Sequence, residues 1–144
     1  MICPYCNSAV AHQDSALVYG GRSFGMVYAC TRYPACDAYV GANKVTGEPL
    51  GRLANAELRR HKSAAHAKFD PLWTYKKEIQ HDAQARTKAY RWLARQMGLS
   101  EAACHIGQFD ERQCQEVIQH CETLYTQHPV LQDFFFTYHS RKLA

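Results

Sequence analysis

The sequence predicts an α+β protein, with a small cysteine-rich β unit at the N-terminus and a C-terminal bundle of about five helices packed against it. Two observations predict this order. Four of the seven cysteines fall within the first 36 residues, among short β-prone runs and glycine-rich turns. From residue 54 onward the apolar residues recur with a helical period instead. The expected boundary lies after residue 51, with residues 52–144 docked on the first part as one compact unit because the link is short.

The four N-terminal cysteines have the spacing of a metal site. Cys3 and Cys6 form a CxxC pair, Cys30 and Cys36 form a second pair, and 23 residues separate the pairs, which is enough for a hairpin. Zinc prefers four ligands in a tetrahedron, and a site filled by four thiolates is structural because it leaves no open position. The sequence therefore predicts a zinc ribbon over residues 1–51 that holds one structural Zn²⁺.

The secondary structure follows from turn and capping residues. Residues 16–19 and 26–29 are expected to pair as a hairpin, and residues 38–40 to form a third short strand. Gly98 is expected to end the third helix. The expected helix starts carry a capping residue or a proline, and they are Asn55, Asp70 with Pro71, Asp82, Ser100, Asp110 and Pro129.

Charge and composition suggest a compartment and a class of partner. Residues 1–99 carry 14 Lys and Arg against 7 Asp and Glu, whereas residues 100–144 carry 3 against 6. The basic part favours an anionic partner. No secretory signal or membrane-spanning run is recognisable, so we expect a cytoplasmic protein of a bacterial host, with no membrane association and with reduced thiols.

The second cysteine pair carries a family resemblance. Residues 30–36, with Tyr33 and Pro34 between the two cysteines, resemble the second half of the four-cysteine zinc ribbons at the C-terminus of bacterial type IA topoisomerases. The resemblance covers about the first 40 residues and implies binding to single-stranded DNA. The chain differs from those ribbons in its long hairpin insert and in having no tandem copies.

A second resemblance covers more of the chain. Residues 33–41, 49–51, 53–59, 69–73 and 104–107, together with His66, are similar to the zinc-finger-containing proteins of unknown function of bacteriophages and prophages. That resemblance implies a phage or prophage origin and a ribbon followed by a helical tail. It implies no activity.

Binding of single strands without sequence preference requires cations for the phosphates and aromatic faces for the bases. The ribbon supplies six aromatic residues, namely Tyr5, Tyr19, Phe24, Tyr28, Tyr33 and Tyr39. A solvated basic face and rings that cover the zinc are the alternative interpretation. The leading hypothesis is nucleic-acid binding, with DNA favoured and single strands included. The predicted contact residues are Arg22, Arg32, Tyr33, Arg59, Arg60, Lys62, Lys88, Arg91 and Arg95.

Two other functions remain open at this point. The protein is alternatively an adaptor or inhibitor of a host protein, with the ribbon as a rigid platform and the acidic C-terminal part as the contact surface. A nuclease that uses His61, His66 or Asp70 is the second alternative, but neither an HExxH motif nor a paired-carboxylate motif supports it. We therefore expect no catalysis. Cys104, Cys114 and Cys121 fall on apolar stripes and are expected in the core.

Overall fold

The computed structural model of the protein describes residues 1–143, and within that range a three-stranded antiparallel sheet precedes four α-helices. The α+β prediction is therefore confirmed. The chain divides into two compact units, Met1–Arg60 and the residues from His61 onward. The elements are β1 Val10–Asp14, β2 Met26–Cys30, β3 Tyr39–Gly41, α1 Ala56–Glu78, α2 Ala85–Met97, α3 Glu111–Gln127 and α4 Pro129–Leu143.

The sheet has the order β1-β2-β3, and its first strand lies earlier in the chain than predicted. Residues 15–17 form a 3-10 turn and not a strand. The cause is Asp14, whose carboxylate accepts hydrogen bonds from the Ala16 N–H at 2.8 Å and the Ser23 hydroxyl at 2.9 Å. This side-chain bonding competes with the ladder and ends the strand, although the run that follows is rich in β-prone residues.

The β unit has a small core of its own. Its central cluster consists of Cys3, Cys30, Ala38 and Leu53, and Val27, Ala29 and Ala54 are also buried in the unit. Leu53 reaches this core because the next residue, Ala54, exchanges two backbone hydrogen bonds with Tyr39, at 3.0 and 3.1 Å. Two of the four residues in this cluster are candidate metal ligands, so few other apolar side chains contribute to it.

One long helix, α1, replaces the two helices predicted on either side of Asp70 and Pro71. A proline inside a helix removes one N–H and leaves the carbonyl four residues earlier without its partner. Here that carbonyl belongs to Ala67, and the Nε2 of His139 donates to it at 2.8 Å. Pro71 and Phe69 are buried, so packing compensates for the lost backbone bond and the helix continues.

Three of the predicted helix caps are confirmed. The Asn55 side chain accepts from the Leu58 N–H at 2.9 Å at the start of α1. Gly98 ends α2 in the left-handed conformation, with φ of 67°. Asp110 and Gln113 form a reciprocal capping box at the start of α3, with bonds of 2.8 and 3.0 Å.

The second unit contains the larger apolar core. Phe69 of α1, Leu93 of α2 and Val117 of α3 are fully buried in it, as are Ile106 and Phe109 of the segment between α2 and α3. The three remaining cysteines are also buried there, which confirms that they are core residues. No helix within residues 1–143 combines the length and apolar character needed to cross a membrane.

Candidate functional site

Two tight turns position the four candidate metal ligands. In the first, the Asn7 N–H donates to the Cys3 carbonyl at 2.9 Å, and Asn7 adopts a positive φ of 64°. In the second, the Cys36 N–H donates to the Arg32 carbonyl at 3.2 Å. Because β2 ends at Cys30 and pairs with β1, which follows the first turn, the sheet brings both turns together.

The four sulfur atoms converge on one point. The Sγ atoms of Cys3 and Cys36 lie 3.6 Å apart, those of Cys6 and Cys30 lie 3.4 Å apart, and all four are within 4.8 Å of one another. A zinc–sulfur distance of about 2.3 Å gives tetrahedron edges of roughly 3.8 Å. Disulfides require sulfur atoms about 2 Å apart, and all four thiols are free. The donor set therefore fits one structural zinc ion.

The surroundings of the four cysteines differ. Cys3 and Cys30 are buried, whereas Cys6 and Cys36 are partly exposed. Hydrogen bonds from the Ser8 hydroxyl and backbone lower the pKa of Cys6 to about 6 in the metal-free chain. Burial raises the pKa of Cys30 to about 12. Metal binding requires thiolates, so zinc must displace the proton of Cys30. The affinity for zinc is therefore expected to decrease as the pH is lowered.

Comparison with known families agrees with this geometry. The model of the zinc-finger-containing domain family matches residues 1–124, which include all four ligands and most of the helical part. The chain belongs to this family. Membership supports the assignment of one structural zinc to the four cysteines. The family description names a zinc finger and no activity, and no curated protein or solved structure gave a significant match.

Aromatic rings form a continuous series in the first unit of this zinc-finger protein. Phe24 contacts Tyr19 with centroids 5.4 Å apart, Tyr19 contacts Tyr39 at 6.1 Å, and Tyr39 contacts Tyr33 at 6.4 Å. We call these four rings the aromatic ladder. The Arg22 guanidinium lies 5.8 Å from the Phe24 centroid at one end of it.

The outer ring of the ladder lies open to solvent. Phe24 is 59% exposed, Tyr19 is 45% exposed, and Tyr39 and Tyr33 are half-buried. Of these four residues, only Tyr33 is among the predicted contacts. The sequence does contain a signal for Phe24, because a large apolar residue in the glycine-rich segment 20–25 has little core to fill.

The other ribbon tyrosines have structural roles. The Tyr5 hydroxyl donates to the Leu53 carbonyl at 3.4 Å, and the Tyr28 hydroxyl donates to the Gly47 carbonyl. Tyr28 also packs on His12 with ring centroids 4.8 Å apart. These contacts hold the ribbon together and account for the tyrosines outside the ladder.

Arg59 of α1 is used within its own unit. Its Nη1 donates to the carbonyls of Asp37 at 3.0 Å and Ala54 at 2.6 Å, and Nη2 lies 3.7 Å from the Asp37 carboxylate. Its guanidinium also stacks over the Tyr39 ring at 4.0 Å. Arg59 therefore ties the start of α1 to the ribbon and supports the ladder from one side.

The remaining predicted cations have different surroundings. Arg32 is exposed on the second cysteine turn beside Tyr33 of the ladder, and Arg60 is exposed at the end of the first unit. The others, Lys62, Lys88, Arg91 and Arg95, belong to the second unit. Of the nine predicted contact residues, Tyr33 is itself a ladder ring, Arg22 and Arg59 lie against ladder rings, and Arg32 precedes Tyr33 in the chain.

The histidines of the nuclease hypothesis occupy separate positions on α1. The Nδ1 of His66 lies 3.3 Å from the Asp70 carboxylate, which also accepts a hydrogen bond from the Trp73 indole at 3.1 Å. His61 faces Glu111 instead, with Nε2 3.9 Å from its carboxylate. His66 and Asp70 are brought together, and His61 is not part of their hydrogen-bonded group.

Proposed function

We propose that the protein binds single-stranded nucleic acid through the aromatic ladder, with DNA as the favoured partner and with no sequence preference. The observation that supports this most is the continuity of the four rings, with Arg22 against the ring at one end and the exposed Arg32 next to Tyr33 in the chain. Aromatic faces stack on any base, at about 1–3 kcal/mol per base, while cations bind the phosphates.

In this proposal zinc fixes the scaffold and takes no part in chemistry. The four thiolates fill the coordination positions of the ion, so no position is left for water or substrate. We propose that the protein has no catalytic activity and acts in the cytoplasm of a bacterial host, with a phage or prophage origin. Labelled single- and double-stranded DNA that is cleaved in the presence of Mg²⁺ or Mn²⁺ would contradict the first of these statements.

The direct test is fluorescence anisotropy with the full zinc-loaded chain and a labelled 20-nucleotide oligo(dT). Phe24→Ala removes the outer ring, so we expect affinity to fall by roughly five- to a hundredfold, the equivalent of one lost stack. Phe136→Ala is the matched control, because Phe136 is 60% exposed against 59% for Phe24 and contacts one neighbouring ring, Phe135, at 5.6 Å. The control should leave the affinity unchanged.

A salt titration separates the phosphate contacts from the stacking. We expect the logarithm of affinity to fall linearly with the logarithm of salt, and Arg22→Ala to reduce the slope by about 0.7. Arg112→Ala is the charge-matched control in the second unit, since the Arg112 side chain is 87% exposed.

Oligo(rU) and duplex DNA of equal length test the preference for DNA and for single strands. Equal losses with Phe24→Ala and Phe136→Ala, or a salt-independent affinity, would sink the proposal.

A further inference from the structure

The second unit contains an open groove with a volume of about 700 Å³. Its floor is largely apolar, with Leu72 and Ala89 buried and Trp92, Leu124 and Leu131 half-buried. The groove has the size of ligand sites in proteins, which hold about 300–1,000 Å³. Four cations also line it, and no carboxylate does among the described residues; these cations are Lys76, Lys88, Arg91 and Arg95.

Two of these cations are already paired. The Nζ of Lys88 lies 2.9 Å from the Asp82 carboxylate, and the Nε of Arg91 lies 2.6 Å from the Glu101 carboxylate. Within residues 1–141, whose side chains the structure describes, Arg95 and Lys76 form no ion pair closer than 4.0 Å. Lys76 still interacts electrostatically with Asp82, so Arg95 is the groove cation whose charge is least compensated. So few free cations do not suit a strand-binding channel, where most of the affinity comes from phosphate contacts.

The apolar part of the groove favours side chains over nucleobases. Most of its floor is aliphatic, and Val130 at the start of α4 is 63% exposed beside it. Aliphatic walls bury the apolar stripe of a peptide helix, which is a common way for a helical protein to recognise a partner. The unpaired cations then complement carboxylates that flank such a stripe.

We propose that this groove binds an acidic amphipathic segment of a partner protein. Its apolar side chains occupy the floor over Leu124 and Trp92, and its carboxylates meet Arg95 and Lys76. This site is independent of the aromatic ladder, and neither proposal depends on the other.

The test is selection from a displayed library of random 16-residue peptides, with the zinc-loaded full chain as target. The counter-target is the double variant Arg95→Gln with Val130→Glu, in which both changes lie on exposed side chains. A matched control combines Arg112→Gln with Val45→Glu, since Val45 is 93% exposed in the first unit. We expect enriched peptides to carry acidic residues around apolar residues spaced i, i+3, i+4, i+7. They should bind the counter-target about tenfold more weakly and the control equally well.

Three results would overturn the proposal. The first is no enrichment over the counter-target, and the second is enrichment of peptides without acidic residues. The third is a combined result, in which oligo(dT) displaces the peptides and also binds the counter-target more weakly than it binds the unchanged protein. The groove would then be a nucleic-acid site. Phe24→Ala distinguishes the two proposals, since it should weaken oligo(dT) and leave the peptides unaffected.

Discussion

The two units of the chain are stabilised by different means. In the first unit, the buried cluster at the cysteines contains Ala38 and Leu53 besides two of the zinc ligands, and the other buried apolar residues are Val27, Ala29, Ala54 and Leu58. In the second, the helices and the segment between α2 and α3 bury 13 residues in one cluster, among them Phe69 and Leu93. A unit with so little apolar core needs a metal to fold, whereas a larger core does not. We therefore expect the folding of the first unit to depend on zinc and that of the second unit to depend on packing.

Loss of zinc should have the largest effect and should be confined to the first unit. In Cys36→Ser, or after chelation, we expect the ribbon to lose roughly 10 kcal/mol of metal-derived stability and to unfold. Amide resonances of the β strands should collapse while those of α2 and α3 persist, and metal analysis should fall from one equivalent. If α3 unfolds together with the ribbon when zinc is lost, the two units do not differ in their dependence on the metal.

Truncation of the helical core should give the reverse pattern. Phe69 is fully buried and contacts Tyr90 with centroids 4.6 Å apart, so Phe69→Ala should cost about 3–5 kcal/mol in denaturant unfolding of the helices. Bound zinc should remain at one equivalent. Phe136→Ala is the control, because Phe136 is exposed and its truncation should change the free energy of unfolding little.

Alkaline pH should weaken the helical unit through its buried thiols. Burial raises the pKa of Cys121 from 9.0 to about 12, and those of Cys104 and Cys114 to about 11. Since the folded pKa values exceed the unfolded ones, stability is intact below pH 9 and is lost as pH rises above it. We expect a loss on the order of 1 kcal/mol per thiol near pH 10, or about 3 kcal/mol for the three together. In thermal melts of Cys121→Ala, the melting temperature should therefore decrease less steeply with pH above pH 9 than in the unchanged protein.

The smallest predicted effect concerns the proline in α1. His139→Ala leaves the Ala67 carbonyl without its donor and should cost about 1–2 kcal/mol. Pro71→Ala restores a backbone N–H for the same carbonyl, so the cost of His139→Ala should shrink in that background. A double-mutant cycle in urea measures the coupling. The His139 ring also packs on Phe135, with centroids 4.4 Å apart, and additive losses would show that His139 acts through this packing.

The features predicted correctly from the sequence are those that short segments determine. Cysteine spacing defines the zinc ligands, and the caps at Asn55, Gly98 and Asp110 depend on residues within one turn. The remaining features depend on distant contacts. From the sequence, Pro71 predicts a helix boundary. The side chain that donates to the carbonyl left unpaired by this proline belongs to His139, which lies far along the chain.

The candidate surfaces were harder to predict for the same reason. Lys88 and Arg91 share a helix face with Arg95, but the carboxylates that neutralise them lie outside α2. Arg59 is an exposed cation by sequence, and only the fold shows its donors bound to the carbonyls of Asp37 and Ala54. The ladder likewise joins rings from three separate parts of the ribbon.

The hydrogen bond between His139 and Ala67 bears on how the protein should be shortened for study. The region shared with the family ends at residue 124, before both α4 and Tyr125, whose hydroxyl donates to the Lys68 carbonyl at 2.7 Å. A fragment cut at that limit would leave two consecutive α1 carbonyls, just upstream of the proline, without their side-chain donors. Deletion experiments designed from the family boundary would therefore damage α1 at its weakest point, while the ribbon would keep its metal.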